Sequence, residues 1–111
     1  MAKLDTREAQ KRVVQNKINH NFNLTDMNLE FILMYSEVAE AAKAWREKDP
    51  ELGEELADIG IYLLGIAELN GIDLGAEIEK KMLKNEKREY TVIGSKWIKT
   101  ENAREVPENQ E

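Results

Sequence analysis

Four acidic residues stand as two closely spaced pairs near the middle of the chain. Glu37 and Glu40 form one pair, Glu55 and Asp58 form the other, and a short break at residues 49 and 50 separates them. Residues three apart share one face of a helix, so each pair can direct two carboxylates toward one point. If the two helices fold back on each other, the four carboxylates converge and repel. A hard divalent cation, Mg²⁺ or Mn²⁺, prefers oxygen ligands and would relieve that repulsion.

The second acidic pair lies on a helical stripe that becomes apolar downstream. At about 100° per residue, Glu55 and Asp58 align with Tyr62, Ile66 and Leu69. The alternative is an ordinary solvated face, because 34% of the residues are charged. Two such pairs on consecutive helices favour the inward orientation, in which unpaired carboxylates are costly.

The composition limits the class of protein. With 111 residues the chain is expected to form one small domain. A net charge of −6 argues against a nucleic-acid binder, and the lack of cysteine excludes disulfides and a thiolate nucleophile. Residues 1–10 lack the apolar segment of a signal peptide, and the longest apolar run, residues 59–67, is too short for a bilayer. We therefore expect a cytoplasmic protein with neither nucleic-acid nor membrane partners.

Capping residues and hydrophobic spacing predict four helices. The first covers about residues 5–19, and the second runs from a cap at Thr25 or Asp26 to about residue 47. Asp49 as N-cap and Pro50 as first helical residue predict a third helix that ends near residue 69. Asp73 is expected to cap a fourth helix that ends near residue 89. The main apolar stripe of the second helix is predicted to comprise Phe31, Met34, Val38, Ala41 and Trp45.

The third helix is apolar on every side between residues 59 and 67. A helix that is apolar all round is buried on all sides, which a chain this small cannot easily achieve alone. This pattern predicts a homo-oligomer, at least a dimer, built largely on the third helix. The residues expected at the interface are Ile59, Ile61, Leu63, Leu64 and Ile66.

The inward stripe of the fourth helix changes from apolar to polar along its length. Leu74 and Ile78 are followed at the same spacing by Lys81, Asn85 and Arg88. One explanation is a solvated helix end, where the helix dipole favours cations. The other is a phosphate site, in which Lys supplies a point charge and Arg a planar fork. Both explanations remain open from the spacing alone.

The last part of the chain has a different pattern. Residues 91–98 predict a short hairpin that turns at Gly94 and Ser95, and residues after about 100 have the composition of a disordered tail. We therefore predict one all-α domain at residues 1–92 and a short hairpin or flexible tail at residues 93–111.

Four acids opposite a Lys, Asn and Arg ladder would suit a metal-assisted polyphosphate site. In this combination the chain resembles the MazG-like all-α nucleoside triphosphate pyrophosphohydrolases over residues 16–90. The motifs that carry the resemblance are Glu37-x-x-Glu40, Glu54-Glu55-x-x-Asp58-Ile-Gly-Ile-Tyr-Leu-Leu and Lys81-Met-x-x-Asn85-x-x-Arg88-x-Tyr90.

The resemblance implies a four-helix fold whose helices pack into a bundle across the subunit interface of a homodimer or homotetramer. It implies Mg²⁺-dependent cleavage of a nucleoside triphosphate between the α- and β-phosphates, which releases pyrophosphate and serves nucleotide-pool housecleaning. The implied metal ligands, which with Lys81 form the catalytic set, are Glu37, Glu40, Glu55 and Asp58. The residues implied to bind the phosphates are Lys81, Asn85, Arg88 and Tyr90.

The base pocket and the attacking water are less fully specified. The candidates to stack on or hydrogen-bond a base are His20, Asn21, Phe22 and Trp45, and the resemblance places a substrate-binding residue near His20. A tryptophan more often packs in a core. Ser36 stands where many family members carry a further acid. The number of metal ions therefore stays open, and Glu51 and Glu54 are candidates to orient the water.

Two other interpretations compete with that of an enzyme. A catalytically silent helical oligomer of the same fold would act as a nucleotide-binding or interaction module, but it would not need Lys81, Asn85 and Arg88 together. A di-iron carboxylate bundle needs Glu-x-x-His pairs, and the single histidine, His20, lies outside both acidic motifs.

Overall fold

The computed structural model describes residues 3–93 and 96–99, which form four α-helices and one β-hairpin. The elements are α1 (Thr6–Asn19), α2 (Met27–Arg46), α3 (Leu52–Leu69), α4 (Leu74–Lys87), β1 (Tyr90–Ile93) and β2 (Lys96–Lys99). The predicted all-α class is confirmed at the level of these helices. The chain divides into two compact units, Met1–Gly75 and Ala76–Glu111, and each is described by itself. The predicted domain boundary at residue 92 stays a prediction.

Aspartate side chains cap the first two helices. The Asp5 carboxylate accepts a hydrogen bond from the Glu8 backbone N–H at 3.1 Å, and that of Asp26 accepts one from the Leu29 N–H at 3.0 Å. Each bond satisfies a donor that the first helical turn leaves free. Of the two predicted caps for α2, the structure therefore selects Asp26.

The predicted start of α3 is wrong by two residues. Asp49 is not its N-cap and Pro50 is not its first residue, because the helix begins at Leu52 after Glu51. The Asp49 carboxylate accepts instead from the Glu51 N–H at 2.8 Å, and the Asp49 carbonyl accepts from the Leu52 N–H. Asp49 thus closes a tight turn ahead of the helix, and Glu51 makes no side-chain cap.

The packing of α2 against α3 differs from the predicted stripe. Phe31, Val38 and Trp45 are 42%, 45% and 70% exposed, so the predicted main apolar stripe of α2 is wrong for these residues. Met34 and Ala41 of the predicted stripe are covered, and the other covered residues are Glu30, Glu37 and Ala44, each one position before an exposed member of that stripe. The α3 stripe is confirmed, because Ile66 is buried and Glu55, Asp58, Tyr62 and Leu69 are partly buried. Acids therefore lie on the covered faces of both helices.

A buried glutamine attaches α1 to the end of α3. Gln10 Nε2 donates to Glu68 Oε1 at 3.1 Å and to the Ile72 carbonyl at 2.8 Å, while Gln10 Oε1 accepts from the Leu74 N–H at 3.0 Å. Close approach of the two helices also depends on Gly65, where an added Cβ would lie 3.1 Å from Val13 Cγ1. These contacts hold α1 along α3.

The second unit contains most of α4 and the hairpin. β1 and β2 pair antiparallel, with Tyr90 opposite Lys99 and Ile93 opposite Lys96. These strands lie where the sequence predicts a hairpin, whereas its predicted turn at residues 94–95 and the predicted tail after residue 100 fall outside the described residues. In the described part of the chain no single helix has the length and apolar content to cross a membrane; α3 and α4 meet that test only as a bent pair.

Candidate metal centre

Three of the four predicted metal ligands come together between α2 and α3. One carboxylate oxygen from each of Glu37, Glu55 and Asp58 lies within 4.8 Å of the other two, and all three side chains are partly buried. The ExxD spacing places Glu55 and Asp58 on the same face of α3, and Glu37 reaches them from the covered stripe of α2. This group of three is called the acid cluster below.

Glu40 and Glu54 lie around the acid cluster without joining it. Glu40 is exposed on α2 and Glu54 is exposed in the first turn of α3. The charges of both nevertheless act on Glu55, and that of Glu40 also acts on Glu37. The fourth predicted ligand is therefore an electrostatic neighbour of the acid cluster in this conformation.

Both glutamates of the acid cluster have raised pKa values. Burial contributes most to the raised pKa of Glu37, followed by the charge of Asp58, a hydrogen bond to Asp58 and the charge of Glu40. Burial is likewise the largest cause for the pKa of Glu55, followed by the charges of Asp58, Glu37, Glu40 and Glu54. The cluster therefore favours any partner, proton or cation, that removes negative charge.

The donor set fits a hard divalent cation. All three groups offer carboxylate oxygens, which are the ligands that Mg²⁺ and Mn²⁺ prefer. Oxygens on opposite sides of Mg²⁺ lie about 4.2 Å apart, because each bond is about 2.1 Å long. The carboxylate oxygens of the acid cluster lie within 4.8 Å of one another, which is close to this separation.

Glu37→Gln is expected to stabilise the protein in chelator at neutral pH. Because the pKa values of Glu37 and Glu55 are raised on folding, the folded chain binds protons that the unfolded chain has released, and this contribution to the unfolding free energy falls as pH rises. The gain from Glu37→Gln should therefore grow as the pH rises through the raised pKa of Glu37 and stay constant above it. It should shrink as the pH approaches the ordinary glutamate value of 4.5. Thermal unfolding of both proteins across this range measures it, and a pH-independent difference would contradict the account.

A cavity of about 640 Å³ lies beside α1 and α3 in the first unit. Its wall includes the aromatic residues Phe22 and Tyr62, the amide of Asn16, and the charged pair Lys17 and Glu30. The volume falls within the range of about 300–1,000 Å³ typical of small-molecule sites. A mostly apolar wall with a few polar groups suits a flat ring that carries hydrogen-bonding edges.

Tyr62 connects this cavity with the acid cluster. Its pKa is raised by burial first, and then by the charges of Glu30, Glu37 and Asp58. Glu30 belongs to the cavity wall, whereas Glu37 and Asp58 belong to the acid cluster. The phenol therefore lies in the field of both groups.

Sequence reasoning missed the buried ion pair in the cavity wall. Lys17 Nζ donates to Glu30 Oε1 at 2.8 Å, and Asn23 Nδ2 donates to Glu30 Oε2 at 2.9 Å. A signal was available, because Glu30 precedes Glu37 by two helical turns and therefore shares its stripe.

The predicted base-binding residues His20 and Trp45 lie in different environments. His20 is exposed, its ring stacks on Phe22 with the centroids 5.3 Å apart, and its Nδ1 lies 2.8 Å from the Asn16 carbonyl. Through Phe22 it is connected with the cavity wall. Trp45 is 70% exposed, so neither core packing nor the cavity accounts for it within one chain.

The predicted phosphate-binding residues belong to the second unit. Lys81 and Asn85 are exposed on α4, Arg88 follows the helix, and Tyr90 begins β1. Arg88 Nη1 donates to Asn85 Oδ1 at 3.0 Å. Arg88 Nε is buried and has no hydrogen-bond partner among the described residues.

Comparison of the chain with family models, with curated proteins and with solved structures finds no match.

Proposed function

We propose that the protein is a divalent-cation-dependent nucleoside triphosphate pyrophosphohydrolase. The observation that carries the proposal is the acid cluster, in which two helices bring three carboxylate oxygens within 4.8 Å of one another. The motif resemblance supplies the reaction class, namely cleavage between the α- and β-phosphates to give a monophosphate and pyrophosphate. Housecleaning of the nucleotide pool is the proposed role.

In this proposal the acidic residues bind the metal ion and orient the attacking water. Glu37, Glu55 and Asp58 hold Mg²⁺ or Mn²⁺, and Glu40 adds negative charge or moves in as a fourth ligand. A bound cation neutralises phosphate oxygens and lowers the pKa of a coordinated water. Glu54 and Glu51 are exposed at the start of α3 and are the candidates to orient the attacking water.

The phosphates and the nucleoside need further partners. Lys81, Asn85 and Arg88 are proposed to bind phosphate oxygens, and Tyr90 is a further candidate. The buried Nε of Arg88, which has no partner among the described residues, supports this role, because buried donors rarely stay without a partner. The cavity, whose wall contains Phe22 and Tyr62, is proposed to receive the nucleoside, and His20 supports Phe22 by stacking.

A screen of canonical and modified nucleoside triphosphates with Mg²⁺ and with Mn²⁺ tests the reaction. We expect pyrophosphate and a nucleoside monophosphate in equal amounts, and no turnover in chelator. Orthophosphate as sole product, or full activity without metal, would contradict the proposal. Nucleotide binding without turnover would instead favour the catalytically silent module.

Lys81→Ala and Arg88→Ala are each expected to lower kcat/KM about ten- to a hundredfold. A charge-assisted hydrogen bond to phosphate in a partly desolvated site is worth roughly 1.5–3 kcal/mol, and each 1.36 kcal/mol corresponds to one decade in rate. Arg88→Lys should recover only part of the loss, because an ammonium group cannot form the bidentate fork.

Lys80→Ala is the matched control for these variants. Lys80 neighbours Lys81, its side chain is 76% exposed, and it pairs with Glu77 at 3.6 Å. Its removal should change kcat/KM less than about twofold, since exposed pairs contribute little. Wild-type kinetics for Lys81→Ala and Arg88→Ala would mean that these residues lie at a solvated helix end and do not bind the substrate.

We also propose that the chain forms a homo-oligomer, a dimer or a tetramer. Within one chain, large apolar side chains on α2 and α3 are exposed; they include Phe31, Ile32, Leu33, Tyr35, Val38, Trp45, Leu56, Ile61 and Leu63. Apolar surface on this scale is typical of subunit interfaces. Ile66, which was expected at the interface, is buried within the chain. Because apolar residues of α2 are exposed, the proposed interface includes α2 as well as the predicted α3. A monomer by light scattering at micromolar concentration would refute it.

A further inference from the structure

The Lys17–Glu30 pair has no role in the reaction proposed above, although it lies in the cavity wall. The side chains of Lys17 and Glu30 are only 12% and 3% exposed. A buried pair of this kind often adds little net stability over an apolar replacement. What the pair does supply is a fixed geometry, because each charge restricts the position of the other.

Asn23 extends this pair into the connection between α1 and α2. Its Nδ2 donates to Glu30 Oε2 at 2.9 Å and to the Asp26 carbonyl at 2.8 Å. Its Oδ1 accepts from the backbone N–H groups of Thr25 and Asp26 at 3.3 and 3.0 Å. Glu30 thereby holds the chain segment that leads into α2.

Lys17 holds the other end of the same connection. Its backbone carbonyl accepts from the Phe22 N–H at 2.8 Å, so the residue that pairs with Glu30 also sets the turn that presents Phe22. Phe22 lies in the cavity wall, and the ring of His20 stacks on it. One polar unit of Lys17, Glu30 and Asn23 therefore restrains both sides of the Phe22 position.

We propose that Lys17, Glu30 and Asn23 are positioning residues that fix the Phe22 wall of the cavity and so determine which nucleobase the enzyme accepts. The inference rests on the proposed function and goes beyond it by naming residues that control specificity. The Lys17–Glu30 pair is internally neutral, so it does not bind the phosphates. It acts through Phe22, whose ring requires a fixed position to distinguish bases of different size.

The test compares Glu30→Gln with wild type. Glutamine keeps the size of the side chain and an acceptor for Asn23, but it removes the charge that holds Lys17. We expect KM for the best nucleoside triphosphate to rise about tenfold with kcat changed less than about twofold, which is the pattern for lost binding that ground and transition states share. Preference between purine and pyrimidine substrates should fall, and Mn²⁺ affinity without nucleotide should stay at the wild-type value.

Two further variants keep the result interpretable. Asn23→Ser leaves the ion pair intact and should raise KM in the same way if Glu30→Gln does not fold. Arg7→Met is the matched control, because it removes the exposed Arg7–Glu68 pair of α1 and α3, which lies outside the cavity wall. Unchanged KM and base preference in folded Glu30→Gln and Asn23→Ser would overturn the inference, as would an equal loss of Mn²⁺ affinity.

A binding experiment separates this inference from the proposed reaction. NMR titration of wild type with a nucleoside monophosphate in chelator should shift the Phe22 and Tyr62 resonances, and Glu30→Gln should weaken that binding about tenfold, matching the expected change in KM. If wild type binds in this way but releases no pyrophosphate, the proposed reaction fails while the positioning role stands. If wild type is active and Glu30→Gln binds equally well, only the positioning role fails.

Discussion

Asp58→Asn is expected to lower kcat about a thousandfold while the helical fold persists. A metal ion supplies several kcal/mol of transition-state stabilisation, and about 4 kcal/mol corresponds to three decades in rate. Asparagine has nearly the same shape as aspartate but removes one negative charge from a group whose oxygens lie within 4.8 Å. The metal-free protein should therefore be as stable as wild type or slightly more stable, because repulsion within the acid cluster falls. Steady-state kinetics, Mn²⁺ binding and thermal unfolding in chelator measure the three effects separately.

Glu47→Gln is the control for this variant because it changes the net charge by the same amount. Glu47 is exposed at the C-terminal end of α2 and lies outside the acid cluster. Its activity and Mn²⁺ affinity should equal those of wild type. A large loss of helicity in Asp58→Asn would show a structural role for the carboxylate, and retained activity would remove Asp58 from the metal site.

Lys17→Met is expected to destabilise the protein by about 3–5 kcal/mol, the usual effect of leaving one member of a buried ion pair uncompensated. Glu30 is 2% exposed, so water cannot replace the lost ammonium group. Native domains have a free energy of unfolding of only about 5–15 kcal/mol, so the variant should lose a large part of it. The urea midpoint of unfolding, followed by circular dichroism in chelator, measures the change.

The double variant Lys17→Met/Glu30→Leu should recover most of that stability. Apolar residues of similar volume often replace a buried ion pair at no net loss. Arg7→Met serves as the control for a lost ion pair. The side chains of Arg7 and Glu68 are 47% and 24% exposed, and pairs that reach solvent contribute at most about 1 kcal/mol. A Lys17→Met variant as stable as Arg7→Met would show that Glu30 finds another partner or reaches water.

The acid cluster was accessible from sequence because its causes are local. Glu55 and Asp58 are three residues apart and therefore share one face of α3. The short connection between α2 and α3 brings the two helices alongside each other. That Glu40 lies outside the acid cluster could not be predicted from the sequence. Whether Glu37 or Glu40 reaches α3 depends on how far one helix is shifted along the other, and that shift is a property of packing.

The covered face of α2 was predicted only in part, since the inward orientation of Glu37 was expected but Phe31, Val38 and Trp45 are exposed. The more apolar stripe contains Phe31, Val38 and Trp45, and hydrophobicity alone favours its burial. The structure covers the stripe of Glu30 and Glu37 instead. Glu30 is compensated by Lys17 across the α1–α2 connection, and a pairing over 13 residues leaves no periodic pattern in the sequence.

The start of α3 shows a limit of capping rules. Asp and Pro in succession are a strong start signal, yet the Asp49 carboxylate reaches the N–H of Glu51 and completes a turn instead. Both outcomes give the Asp49 carboxylate a backbone N–H donor, so this signal alone does not determine the residue at which the helix begins.

Gln10 makes the attachment of α1 an all-or-none event. Its three hydrogen bonds join positions 58 to 64 residues apart, and displacement of α1 would break all three together. Each intramolecular hydrogen bond contributes about 0.5–1.5 kcal/mol net, so partial fraying past Gln10 is disfavoured. The backbone amides of α1 should then exchange with deuterium in one cooperative opening. Because α1 forms one side of the cavity, that same opening removes one wall of the cavity.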